Sequence, residues 1–133
     1  MNGEIAALLW DKKEQASRLG VYLEYEIENI FSYLPEGLQD MITILIDAAM
    51  EIANDVALEK WAYFRMNDTD GGLQLICGAA CNVSLQIRGE ENSLTKVHKL
   101  IAKFGESVET DFMEDSLQMT VYLDRPKQKA NSL

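Results

Sequence analysis

One histidine, two cysteines and two prolines among 133 residues leave little for whole classes of function to work with. Cys77 and Cys81 are too few for a disulfide framework, and their spacing fits no common zinc pattern. A structural zinc site wants four nitrogen or sulfur ligands and a catalytic one three protein ligands. With His98 as the single imidazole, no metal site is expected, and the thiols read as reduced, packed side chains. The same scarcity leaves no Ser–His–Asp set to assemble. No apolar run approaches the roughly 18 residues of a membrane span. Glu4, Asp11 and Glu14 interrupt the first 20 residues, so these do not form a signal-peptide core. The expected location is the cytoplasm.

Basic residues are scarce as well. Twelve Lys and Arg face 22 Asp and Glu, a net charge of −10. Such a surface repels nucleic acid and anionic membranes, which recruit clustered cations. It gives no long-range help to an anionic ligand either. The one basic cluster is Arg125, Lys127 and Lys129, at the end of the chain.

What is present suits a single folded unit. The length is that of one domain with a core of its own, expected over residues 1–124 with a solvated tail at 125–133. An opening helix at about residues 3–19 places Ile5, Leu8, Leu9, Ala16 and Leu19 on one face and stops at Gly20. Val21 to Glu28 alternate apolar and polar residues, as a half-buried strand does. Pro35 suits the first turn of a second helix, whose stripe is Leu38, Met41, Ile42, Leu45, Ala49, Ile52 and Ala53. Strands are expected over Leu58–Met66 and Leu73–Ala79 around a hairpin turn at Asn67–Gly72. Cys81–Ile87 extends the sheet, with Cys77 and Cys81 sharing a face. A third helix, capped by Asn92 or Ser93, buries Leu94, Val97, Leu100, Ile101 and Phe104 and ends at Gly105. Val108–Met113 and Leu117–Leu123 then pair around Glu114-Asp115. One sheet, mixed but mostly antiparallel, with three helices on one face satisfies every stripe. The fold class is α/β (α+β), a two-layer sandwich.

This order resembles the GHKL-type ATP-binding domain of sensor histidine kinases, a Bergerat-like fold, in particular the quorum-sensing and citrate-sensor branch and its sporulation-phosphotransferase relatives. Leu8 to Val21 is similar to that branch's opening helix, in which a Lys and an Ala precede a Gly-Ile-type start of the first strand. Leu38 to Glu51 resembles the N-box helix, and Ser93 to Gly105 the helix after the ATP lid. The resemblance implies a cytoplasmic module of two-component signalling, or the cytoplasmic domain of a membrane sensor. It implies as partners the dimerisation helices of a kinase or a response regulator, leaves a homodimer open, and implies neither nucleic acid nor direct membrane contact.

The departures fall on the nucleotide motifs. The family's N-box resembles Asn-Leu-Leu-Asp-Asn-Ala, whose second Asn helps hold the magnesium. The matching stretch here is Ile44-Leu45-Ile46-Asp47-Ala48-Ala49. Ala48 takes the metal-binding Asn position and Ile44 the other, and a methyl group supplies no oxygen ligand. Where the family has a glycine-rich phosphate loop, this chain has Glu90-Glu91-Asn92-Ser93-Leu94. Asp68-Thr69-Asp70-Gly71-Gly72 looks like an adenine-recognition box but falls on the preceding hairpin and reads as a turn. The expected nucleotide face is therefore degenerate: Ile44, Asp47, Ala48 and Glu51, with no catalytic residue, no metal and no cofactor. The chain is expected to be a pseudokinase-like regulatory or scaffold module; the alternative is the catalytic domain of a divergent sensor histidine kinase using ATP and magnesium. His98 reads as a surface or edge-of-core residue, Asp47 and Glu51 as a solvated polar face, and Trp10 and Trp61 as packing anchors, with Trp10 placed to meet a partner helix.

Overall fold

A computed structural model describes residues 3–27, 34–69, 71–82 and 93–124. In chain order the elements are α1 (Gly3–Arg18), β1 (Tyr22–Ile27), α2 (Leu38–Asn54), β2 (Trp61–Thr69), β3 (Gly72–Ala80), α3 (Ser93–Ala102), β4 (Glu109–Phe112) and β5 (Ser116–Asp124). The strands form one five-stranded sheet in the order β1-β2-β3-β5-β4. β1 runs parallel to β2 because α2 carries the chain back between them, and the other three pairings are antiparallel.

Period-two alternation separates the two faces. Leu23, Ala62, Phe64, Met66, Leu75, Cys77, Met119 and Val121 are buried on the face that carries the helices. From α2, Met41, Ile42, Leu45, Ala49 and Ala53 come down on them, each at most 2% exposed. The Cys77 thiol reaches the carbonyl of Leu45 at 3.5 Å. α1 contributes Ile5, Leu9 and Ala16, and α3 contributes Val97 and Ile101.

Helix ends follow sequence chemistry. Gly20 (φ 75°) and Gly105 (φ 79°) take the left-handed conformation that ends α1 and follows α3. At the first, Val21 N–H donates to Ala16 O at 2.8 Å and Gly20 N–H to Ser17 O at 3.0 Å, satisfying carbonyls the helix leaves over.

Several boundaries differ from the sequence expectation. Asn67, Asp68 and Thr69 belong to β2, and β3 begins at Gly72, so the connection is shorter than a six-residue turn. The Thr69 hydroxyl donates to Gly72 O at 2.8 Å and accepts from Gly72 N–H at 3.1 Å, which closes the expected hairpin with a tighter connection. Leu58 is 82% exposed and precedes the strand that starts at Trp61. Pro35 lies three residues ahead of α2, with its carbonyl accepting from Leu38 N–H, instead of in the first turn. Cys81 lies beyond the end of β3, so it shares no strand face with Cys77; residues 83–87 of the expected extension, and the tail at 125–133, lie outside the described residues.

Complete burial pushes the Cys77 thiol far above its ordinary range. The sign of the consequence is fixed. Once pH passes the unfolded thiol's pKa, about 8.5, the unfolded chain releases a proton that the folded chain keeps, so stability falls as pH rises. Between pH 9 and 10, urea unfolding of the parent protein is expected to lose roughly 1 kcal/mol more than that of Cys77→Ala. Equal losses in the two proteins would place the titrating group elsewhere.

Candidate functional site

The expected nucleotide face lies on the middle two turns of α2. Ile44 is half-buried and packs against the core cluster. Ala48 is 7% exposed. Asp47 and Glu51, one turn apart, point outward and are exposed. The helix therefore presents a methyl group at Ala48 and a branched alkyl group at Ile44, with the carboxylates of Asp47 and Glu51 alongside.

Asp47, exposed on the polar face of α2, also has a partner on α1. Its Oδ1 accepts a hydrogen bond and ion pair from Lys12 Nζ at 2.7 Å. Lys12 comes from α1, where it sits three residues after Leu9 and four before Ala16, on the buried stripe itself. It is 7% exposed and is the one buried charged side chain among the described residues. Its four-carbon stem packs in the α1–α2 seam and its ammonium, in a side chain 9% exposed, ends at Asp47. Gln15 Oε1 gives it a second, longer acceptor at 3.4 Å.

A second polar rung joins the same helices: Gln39 Nε2 donates to Glu4 Oε2 at 2.7 Å. Both rungs link residues 35 apart, so a step of eight residues along α1 matches a step of eight along α2. The two helices run side by side in the same direction, with rungs about 12 Å apart. Sequence reading passed over Lys12 because a lysine interrupts an apolar pattern. The available signal was its place in the Ile5, Leu9, Ala16 spacing.

The other singled-out residues are dispersed. His98 is exposed on α3, its Nε2 3.2 Å from the Thr110 hydroxyl. Trp10 is 61% exposed and anchors no core. Trp61 is half-buried on the opposite side of the sheet, stacked on Tyr63 with ring centroids 5.9 Å apart. Cys81 is buried; burial first, and the charge of Asp55 second, raise its thiol above the ordinary range. Asn82, directly after it, donates from Nδ2 to Asp55 O at 2.9 Å and Oδ2 at 3.1 Å, tying the end of β3 to the end of α2. Among the described residues no three His, Cys, Asp or Glu side chains gather as a metal site, and no helix is long and apolar enough to cross a membrane. Asp70 and the Glu90-Glu91-Asn92 stretch lie outside the described residues.

No family model matches the chain, and no curated protein matches it. Solved structures do. The blue-light activated histidine kinase EL346 of Erythrobacter litoralis superposes with a TM-score of 0.69 at 11% identity, over 95% of this chain and 42% of that one. The nucleotide-free catalytic domain of histidine kinase ThkA gives 0.63 at 11% identity, over 90% of this chain and 92% of that domain. ThkA in complex with its response regulator TrrA gives 0.65 at 13% identity, over 95% and 41%. The chain thus spans less than half of the longer kinases and nearly all of the isolated catalytic domain.

Proposed function

We propose that this chain, which has the fold of the GHKL-type ATP-binding domain of histidine kinases, is a regulatory or scaffold module of two-component or phosphorelay signalling that has lost ATP binding. The observation that carries the reading is the chemistry of α2. Magnesium demands oxygen ligands in near-octahedral geometry and takes one or two of them from the protein. Ala48 and Ile44 provide none. The neighbouring Asp47 is engaged by Lys12 at 2.7 Å. The donor set does not fit a magnesium-bridged triphosphate, and a net charge of −10 adds no attraction for one.

Such a module acts by contact. The resemblance and the response-regulator complex of one matched kinase support a protein partner from the same signalling machinery, either dimerisation helices or a response regulator. Trp10, exposed on α1, is the aromatic group such a helix would meet first.

Thermal unfolding with magnesium and increasing ATP tests this. A ligand present at about 100 times its dissociation constant adds about 2.7 kcal/mol of stability, a shift of several degrees in a domain of this size. The midpoint is expected to stay constant up to millimolar ATP. A saturable, magnesium-dependent rise would instead make the chain the catalytic domain of a divergent histidine kinase, using ATP through ligands other than Ala48 and Ile44.

A further inference from the structure

The surface of this domain is acidic, with one local exception. The open face of the sheet, opposite the helices, carries Glu24, Glu26, Glu109 and Asp111, and the outer side of α2 carries Asp40, Asp47 and Glu51. α3 is different. From Asn92 to Gly105 the chain has no Asp or Glu, while Lys96, Lys99 and Lys103 recur at steps of three and four. At 3.6 residues per turn these steps set the three lysines on one side of the helix. All three are exposed, with Leu100 between them at 38% exposed and Phe104 at their margin at 37%. Val97 and Ile101, on the other side, are buried in the core. Lys103 stands in the turn that closes the helix, where its N–H donates to Leu100 O at 3.3 Å.

Helix stability does not account for this face. The helix dipole favours carboxylates in the first turn and cations in the last. The first turn of α3 holds no acidic residue, and Lys96 stands at its end. Lys96 and Lys99, three apart, repel one another, as do Lys99 and Lys103, four apart, and the helix has no carboxylate to offset them. Other described cations are engaged within the domain. Lys12 and Arg65 are ion-paired, Lys60 donates to Asn54 O at 2.6 Å, and Lys13 stands 5.8 Å over the Tyr25 ring. Among the described residues neither Lys96 nor Lys103 has an ion-pair partner. Solubility would be served better by carboxylates.

We propose that the outer face of α3 is a docking surface for an acidic amphipathic helix of a partner protein. Carboxylates of that helix meet Lys96, Lys99 and Lys103, and an apolar side chain meets Leu100. Lys96 and Lys103 lie about 10 Å apart along the axis, two turns, which is the interval between first and last carboxylates at i, i+3 and i+7 on a facing helix. Such a partner makes ion pairs and also relieves the repulsion among the lysines. Nucleic acid fits less well, because the rest of a chain of net charge −10 repels the phosphates beside the contact. An anionic membrane meets the same repulsion, and one leucine offers little to insert. The surface is independent of whether the chain binds ATP.

The probe is a short lactam-stapled helical peptide with glutamates at i, i+3 and i+7 around a leucine, titrated into the isotope-labelled full chain. Amide shifts are expected to centre on Lys96 to Phe104, and binding should weaken about ten-fold between 20 mM and 0.3 M salt as exposed ion pairs are screened. Lys96→Glu combined with Lys103→Glu should weaken it at least about ten-fold as well, by placing like charges across the contact. The thermal midpoint of that variant should hold, since its two changes act oppositely on the helix dipole. No saturation up to millimolar peptide, shifts centred on another surface, or equal binding of a scrambled peptide would overturn the proposal. Tighter binding of anionic vesicles or of a single-stranded oligonucleotide at the same residues would do so too. The same holds if concentrating the protein alone shifts these amides, which would seat a second copy of the chain there.

Discussion

Asp47→Ala is expected to destabilise the protein by about 3 kcal/mol, whereas Lys12→Met should change stability by less than about 1 kcal/mol. Both substitutions remove the same 2.7 Å ion pair, so a view that counts salt bridges would score them equally. They differ in what is left behind. Without Asp47, the Lys12 ammonium remains in a side chain that is 9% exposed, and an uncompensated buried charge is the costly outcome. Because the Asp47 side chain is 49% exposed, water can reach the vacated position and the lower end of the usual range applies. Without the lysine charge, methionine fills the seam beside Ile5, Leu9 and Ala16, and Asp47 turns to solvent. Asp47→Asn should fall between the two, since its carbonyl still accepts a hydrogen bond from Lys12. Chemical unfolding of the three variants decides the matter, and equal losses for Asp47→Ala and Lys12→Met would sink the idea.

The second large effect lies on the open face. A Cβ added at Gly78 would stand 2.4 Å from Cε1 and Cζ of Tyr63 and 2.7 Å from its hydroxyl. Tyr63 lies directly opposite Gly78 in the β2–β3 register, and its ring fills the space the glycine leaves. Gly78→Ala must push the ring aside, and with it go the hydrogen bond to Gln118, the stack on Trp61 and the contact with Arg65. We expect a loss of about 2 kcal/mol, within the range for overpacking. In a Tyr63→Ala background the same change should be neutral or stabilising by up to about 0.5 kcal/mol, because alanine suits a strand better than glycine once nothing opposes it. The resulting coupling of about 2 kcal/mol is the signature of direct contact. Additive effects would mean that the ring slides away without loss.

These two sites also show what was legible beforehand. The α2 stripe and the alternation of β1 could be read from the sequence because each element's period is set by its own backbone geometry. The layered fold followed, since every stripe needs a partner. Ala48 could be placed because its helix was readable. Lys12 was not, because its role depends on Asp47, 35 residues away, and periodicity alone reports only that a charged residue interrupts an apolar face. Tyr63, Gly78 and Gln118 were out of reach for the same reason. Their meeting depends on strand register, which arises between elements. The hairpin between β2 and β3 was legible, but its turn is shorter than expected: Asn, Asp and Gly favour turns by composition, while the Thr69–Gly72 hydrogen bonds and an Asn67–Gln74 side-chain pair at 3.4 Å extend the ladder past them.

The equal spacing of the Glu4–Gln39 and Lys12–Asp47 rungs has a mechanical consequence. Two parallel rods joined at a single point can pivot; joined at two points with matched spacing, they can neither pivot nor slide past one another without breaking both links together. A torque or axial thrust applied near residue 3 is therefore shared with α2 through two links of matched spacing instead of one.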